Sequence, residues 1–359
     1  MRRFIFLLFL PFIILSESIT IQPIKVTKRE GQNVMDIYYD LPEGYYEQVY
    51  LYFSLDMKNY LRAKGQSGAI GEVSPGRNKH IVWNMEADFP TEWHGEMDVV
   101  VKIIRGIVYQ RINSKGYKEY KCIKDGSILI YIPKGEFTMG SNDGASDEKP
   151  VHNVYLDGYF IGKYEVTNRQ YKKFCDAAGH SYPPNPGFSG MSDYFNNYPD
   201  HPVVEVSWDD VIAYCGWAGL RLPTEAEWEK AARGTDARKY PWGNSEPDAG
   251  GRYRANYDPG NYTEDGYRYT SPVGSFSKGI SPYGCFNMAG NVWEWCSDWY
   301  DEDYYSSSSR RNPEGSPSGA CRVYRGGSWF FYARPIRSAC RHRLPPGHWS
   351  SSLGFRVAR

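Results

Sequence analysis

From residue 235 to residue 359 the chain carries no signal for a long helix. That stretch is rich in Gly, Pro, Asn and aromatic residues, with short strand signals at best. In a compact domain, irregular segments of this length need internal fastening by disulfides, metal ions or buried polar networks. This demand already points towards ion sites. Hydrophobic residues make up 41 % of the chain and charged residues 23 %, an ordinary globular balance. The 16 % aromatic share, beside 36 Gly and 23 Pro, describes a loop-rich fold whose core is filled by aromatic bodies.

The 359 residues suggest two folded units at about 150 residues each. Lys and Arg contribute 42 charges and Asp and Glu another 42, so the net charge is zero. Without a basic field, electrostatic binding to nucleic acid or to an anionic membrane is excluded. Seven cysteines form no C-x-x-C pair, and the seven histidines show no H-x-x-x-H or H-E-x-x-H spacing. Zinc knuckles, thioredoxin-like motifs and zincin helices therefore lack support. The odd count leaves at least one thiol unpaired in any disulfide scheme, and a small buried hydrophobe is the default role of each cysteine.

The amino terminus reads as a secretory signal peptide over residues 1–18. Arg2 and Arg3 precede an apolar run from Phe4 to Leu15, followed by Ser16, Glu17 and Ser18. A membrane span needs about 20 apolar residues, so this run is short for one. No lipobox cysteine follows it. The mature chain is expected to begin near Ile19, to have no membrane span after cleavage, and to be secreted, periplasmic or held at the cell surface.

Residues 19–105 read as an all-β unit. The runs Val34–Tyr39, Val49–Leu55, His80–Met85 and Met97–Ile103 are β-branched and aromatic. Turn signals at Pro42-Glu43-Gly44, Gly65–Gly68 and Pro75-Gly76-Arg77-Asn78 separate them. The pattern suggests a small immunoglobulin-like sandwich, serving as a spacer or docking module. Residues 106–127 are polar and poorly patterned and read as a linker. A second unit follows over 128–359. Three helix starts stand out there as capping boxes: Thr167 with Gln170, Ser207 with Asp210, and Thr224 with Glu227. The third helix is expected to stop at Gly234. Glu225, Glu227 and Glu229 occupy alternate positions that do not share a helix face, so they form no paired acid/base site. In the segment around Val292–Trp295, alternation predicts core and rim positions, with Glu294 on the rim. Gly326 and Gly327 serve a tight backbone rather than a phosphate cradle, because no helix signal follows them.

Residues 128–359 resemble the sulfatase-modifying-factor family, to which the formylglycine-generating enzyme belongs. The resemblance rests on FTMGS (Phe137–Ser141), IGKYEVTNRQYKKFC (Ile161–Cys175), HPVVEVSWDDVIAYC (His201–Cys215), RLPTEAEWEKAARG (Arg221–Gly234) and YPWGN (Tyr240–Asn244). It continues through PVGSF (Pro272–Phe276), NMAGNVWEWCSDWY (Asn287–Tyr300), RGGSW (Arg325–Trp329) and LGFRV (Leu353–Val357). The fold implied is α+β, a loop-rich C-type-lectin-like variant preceded by the β-sandwich.

The resemblance also implies two structural calcium sites. One would take Asn256, Tyr257, Asp265 and Tyr267; the other Asn287, Gly290, Val292 and Glu294. Side-chain and carbonyl oxygens are hard donors suited to calcium rather than zinc or copper. The family enzyme oxidises a substrate cysteine with oxygen, using two cysteines that bind copper. Here those positions are Phe331 and Ile336, or Pro335 for the second if one residue is deleted. Neither supplies a thiolate, so copper is not expected. Cys340 and Cys215 correspond to half-cystines of the animal enzyme, whose partners correspond to Ala232 and Val357 respectively and cannot bridge. Three functions follow. The first is a calcium-stabilised module binding an unidentified protein or peptide partner in the cell envelope. The alternative is a formylglycine-generating oxidase with an altered site. A non-heme iron sulfoxide synthase ranks last, because the β-like amino-terminal region holds only His80 and His94 for iron.

Overall fold

The computed structural model describes residues 18–359 apart from 22, 31, 42–44, 55–60, 65, 69–70, 74–75, 90–96 and 261–262. Most of the expected leader, the turn at 42–44 and His94 lie outside the described residues. The chain divides into two compact units between Tyr109 and Gln110.

The first unit is built from strands β1 (Ser18–Ile21), β2 (Lys25–Lys28), β3 (Val34–Leu41), β4 (Tyr45–Ser54), β5 (Leu61–Arg62), β6 (Gln66–Gly68), β7 (Gly71–Val73), β8 (Gly76–Asn84) and β9 (Asp98–Ile112). One sheet has the order β2-β3-β8-β6; in another, β4 lies between β9 and β5, with β1 on β9 and β7 on β4. Successive strand residues face opposite sides, which buries Met35, Ile37 and Tyr39 of β3 against Ile81 and Trp83 of β8. Leu51, Phe53, Val99 and Val101 join the same cluster, so both sheets feed one core. Two segments expected as turns are strand instead. Gln66–Gly68 pairs with Ile81–Trp83, and Gly76 pairs with Leu41. Gln66 earns its place there by accepting the Leu51 N–H on its side-chain oxygen at 2.8 Å.

The second unit contains β10 (Lys118–Cys122), β11 (Ile128–Ile132), β12 (Gly135–Met139), β13 (His152–Leu156), β14 (Tyr159–Gly162), α1 (Asn168–Ala178), α2 (Tyr194–Asn197), α3 (Trp208–Ala218), α4 (Glu225–Arg233), β15 (Trp293–Trp299), α5 (Tyr304–Ser307), β16 (Arg322–Arg325), β17 (Arg341–Leu344) and β18 (Leu353–Gly354). Strands β10, β11 and β14 pair in that order, β12 pairs with β13, and a third sheet runs β17-β16-β15-β18. Each long helix begins where its capping box predicts: the Thr167, Ser207 and Thr224 hydroxyls accept the N–H three residues on, and the returning side chain accepts the cap's own N–H.

The polar segment 106–127 is not a linker. Strand β9 extends through Ile112, and β10 pairs with β11, register Glu119 opposite Ile130. Glu119 is 1 % exposed because Lys163 and Arg111 contact its carboxylate at 2.7 and 2.8 Å. It lies in the stretch read as a polar linker, and only the fold supplies the partners that allow its burial.

The long irregular segments are fastened chiefly by buried arginines. Arg341 pairs with Glu225 at 2.7 Å, Arg337 with Glu148 at 2.6 Å, and Arg325 with Glu229. Arg325 also donates to the carbonyls of Ser338 and Ala339 at 2.9 Å. The three α4 glutamates meet four arginines: Glu225 takes Arg341 and, at 3.4 Å, Arg325; Glu229 takes Arg325 and Arg233; and Glu227 takes Arg221 at 2.6 Å. All seven cysteines are free.

Candidate functional site

Asn256 lies in the loop before Asp265 and is fully buried. Its Nδ2 donates to the Tyr269 carbonyl at 2.8 Å and to Asn291 Oδ1 at 3.1 Å, which leaves its Oδ1 buried without a partner. Asp265 closes the same loop by accepting the Tyr257 N–H at 2.9 Å and the Tyr267 N–H at 3.0 Å. Among the described residues no Lys or Arg pairs with it. Burial pushes its carboxyl up to about 6. An orphaned buried amide oxygen, with a half-buried carboxylate of the same loop that has no cationic side chain paired to it among the described residues, is a donor set of the kind a hard cation takes, so the first expected set is compatible with calcium.

The second set fits in part. Asn287 adopts φ +51°, a left-handed conformation that Asn tolerates better than most residues. Its Nδ2 donates to Glu165 Oε2 at 2.9 Å and to the Val273 carbonyl at 3.1 Å, and its Oδ1 is likewise buried and unpartnered. Gly290 has φ +80°, and a Cβ there would lie 2.2 Å from the Asn256 carbonyl oxygen. Only glycine permits that approach. Val292 is fully buried against Phe188, Tyr194, Val204 and Trp329.

Glu294 is not on a rim. It is 0 % exposed, and its carboxylate accepts from Arg356 Nε at 2.5 Å, Arg356 Nη2 at 2.6 Å and Trp228 Nε1 at 2.7 Å. The alternation rule fails here because β15 is covered on both faces over its first four residues.

Four residues of this region escape motif-by-motif reading: Glu165, Asn291, Arg356 and Trp228. Glu165 is buried and accepts from Asn287 and from Asn291 Nδ2 at 2.8 Å. Burial pushes it up to about 7; the Arg356 charge opposes the shift and the Glu294 charge adds to it. Arg356 pairs with Glu294, and among the described residues no Lys or Arg is paired with the buried Glu165 carboxylate, a place where a divalent cation nearby would be favourable. The signal available in sequence was only that Glu165 and Asn291 sit inside the YEVTN and NMAGN motifs.

The positions of the copper-binding pair hold no metal ligands. Phe331 is half-buried, its ring 5.6 Å from that of Trp293, and its carbonyl accepts the Asp258 N–H at 2.9 Å. Ile336 is 0 % exposed, packed with Tyr240, Ala255, Tyr257 and Ala289. Its Cγ2 would lie 2.4 Å from a Cβ at Gly327, which has φ +72°, so the tight-backbone role of that glycine is realised. This donor set does not fit copper. Cys340 is the nearest thiol in sequence, and burial pushes it up to about 11. On either side of Phe331 in the chain, Phe330 and Tyr332 are 52 and 63 % exposed.

Arginine-fastened loops around three short sheets and capped helices, with two asparagine-lined loops at the centre, define a mixed α+β domain of the formylglycine-generating-enzyme type. The chain belongs to the sulfatase-modifying-factor family: the model of the sulfatase-modifying factor enzyme 1-like domain matches residues 118–359. That match begins ten residues earlier than the motifs suggest and takes in β10. The formylglycine-generating enzyme of Thermomonospora curvata is 37 % identical over 64 % of this chain and 92 % of its own length. The inactive C-alpha-formylglycine-generating enzyme 2 of Bos taurus is 31 % identical over 64 % of this chain and 87 % of its own. Among solved structures, PvdO from Pseudomonas aeruginosa superposes with a TM-score of 0.58 and 30 % identity, over 67 % of this chain and 97 % of that one.

Proposed function

We propose that this chain is an exported, calcium-stabilised member of the family that binds a protein or peptide partner in the cell envelope and does not form formylglycine. The observation that carries this reading is the pair Phe331 and Ile336. Thiol oxidation in the family needs two thiolates at these positions, and here an aromatic ring and an aliphatic side chain sealed in an apolar cluster occupy them. Similarity to both a formylglycine-generating enzyme and an inactive paralogue is compatible with loss of the chemistry on a retained scaffold. The aromatic side chains Phe330 and Tyr332, exposed on either side of Phe331, are the kind of surface that takes up a partner. A C-type-lectin-like scaffold with an immunoglobulin-like sandwich before it suits presentation outside the cell. The unpartnered Oδ1 atoms of Asn256 and Asn287 support calcium as the structural ion.

The deciding experiment is mass spectrometry of a sulfatase-type peptide containing C-x-P-x-R, incubated with the protein, copper and oxygen. The cysteine is expected to remain a thiol. Conversion to the aldehyde would establish the alternative, a formylglycine-generating oxidase with an altered site. Conversion lost in Cys340→Ser would then locate that site at Cys340.

A further inference from the structure

We infer that Asn291 and Glu165 join the two calcium sites into one cooperative unit. The inference rests on the calcium reading above and adds residues that belong to neither expected ligand set. The four side chains form an unbroken buried relay. Asn256 Nδ2 donates to Asn291 Oδ1 at 3.1 Å, Asn291 Nδ2 donates to Glu165 Oε1 at 2.8 Å, and Glu165 Oε2 accepts from Asn287 Nδ2 at 2.9 Å. None of the four is more than 3 % exposed. The relay therefore begins at the asparagine of one site and ends at the asparagine of the other.

Chemistry sets which way each terminal amide points. Asn256 Nδ2 faces the Tyr269 carbonyl and Asn291 Oδ1, and Asn287 Nδ2 faces the Val273 carbonyl and Glu165. All four are acceptors, so only the NH2 end can face inward along the relay. The Oδ1 of each asparagine must then face outward, and both are the buried oxygens without a partner. Asn291 itself is locked. Its Oδ1 also takes the Ser271 N–H at 2.8 Å, its backbone N–H donates to the Asn256 carbonyl at 2.7 Å, and it sits at φ +66°. Gly290, whose carbonyl is expected at the second site, touches the Asn256 backbone directly.

A cation on one terminal Oδ1 polarises that amide and strengthens its N–H donation inward, and each bond along the chain reinforces the next. The far asparagine is then held in its binding orientation before its own ion arrives. Binding at either site raises affinity at the other by the same factor, as linkage requires, on the order of tenfold. Asn291 and Glu165 are positioning residues in this scheme.

The test is isothermal titration of calcium into the chelator-stripped full chain, with circular dichroism to verify folding. Wild type is expected to bind two ions with a Hill coefficient above one, and Glu165→Gln to bind two ions independently. The Gln side chain cannot accept from both asparagines, because one of its ends carries only donors. Two independent ions in the wild type would overturn the coupling and leave calcium binding intact. No bound calcium in the wild type would overturn the calcium reading and this inference with it. Should Glu165→Gln fail to fold, Asp265→Ala decides: with the first site crippled, an affinity about tenfold weaker at the second supports the relay, and an unchanged affinity overturns it.

Discussion

Arg356 grips Glu294 with two hydrogen bonds, 2.5 and 2.6 Å, at a position where neither side chain is exposed. The same guanidinium donates to the carbonyls of Gly162 and Phe286 at 2.8 Å. One side chain from the end of the chain thus ties β14, the segment before Asn287 and β15 together. Removing one partner of such a pair strands a buried charge, which outweighs the modest net value of the pair itself.

Arg356→Met is expected to destabilise the second unit by about 3–5 kcal/mol, read as a lower denaturant midpoint. In chelator, where calcium contributes nothing, replacing both partners, Arg356→Met with Glu294→Leu, should cost less than the single change. A double variant weaker than the single one would show that Glu294 does not suffer from the loss of its counter-charge.

Excess calcium is expected to raise the melting temperature of the chelated protein. An ion that binds only the folded state adds about 2.7 kcal/mol at a hundredfold excess over its dissociation constant. Asp265→Ala should blunt that response, because this carboxylate has no cationic side chain beside it. Identical melting curves in calcium and in chelator would refute both expectations.

Stability should also carry the signature of Asp298. This carboxyl is 3 % exposed and accepts the Glu225 N–H at 2.8 Å; burial, with the Glu225 charge adding to it, pushes it up to about 7 from 3.8. The unfolded chain ionises it from about pH 4, while the folded chain resists until about pH 7. The folded state therefore loses stability across that window as pH rises, by on the order of 4 kcal/mol, and the loss levels off above it. Asp298→Asn keeps an oxygen for the Glu225 N–H and cannot ionise. Its melting temperature relative to wild type should climb between pH 4 and pH 7.5; a constant difference would contradict the assignment.

The amino terminus is expected near Ile19. Strand β1 begins at Ser18 and pairs with Val101–Ile104 of β9, so processing at this point would leave the strand in place. Sequencing or intact-mass measurement of the native protein decides it, and an unprocessed Met1 in a cytosolic fraction would contradict export.

Local rules carried far in this chain. The starts of α1, α3 and α4 were legible at Thr167, Ser207 and Thr224 because a capping box spans four residues. The faces of β3 and β8 were legible because strand side chains alternate. Phe331 and Ile336 ruled out two copper thiolates by identity alone. What sequence could not reveal is which distant groups meet. Glu225 finds Arg341 across 116 residues and Asn256 finds Asn291 across 35, and Glu119 is buried only because Lys163 and Arg111 converge on it. Read as local pattern, Glu294 was a rim position, and residues 106–127, Glu119 among them, were a linker. A buried charge is tolerated only where a counter-charge is delivered to it, and that delivery depends on the path of the whole chain.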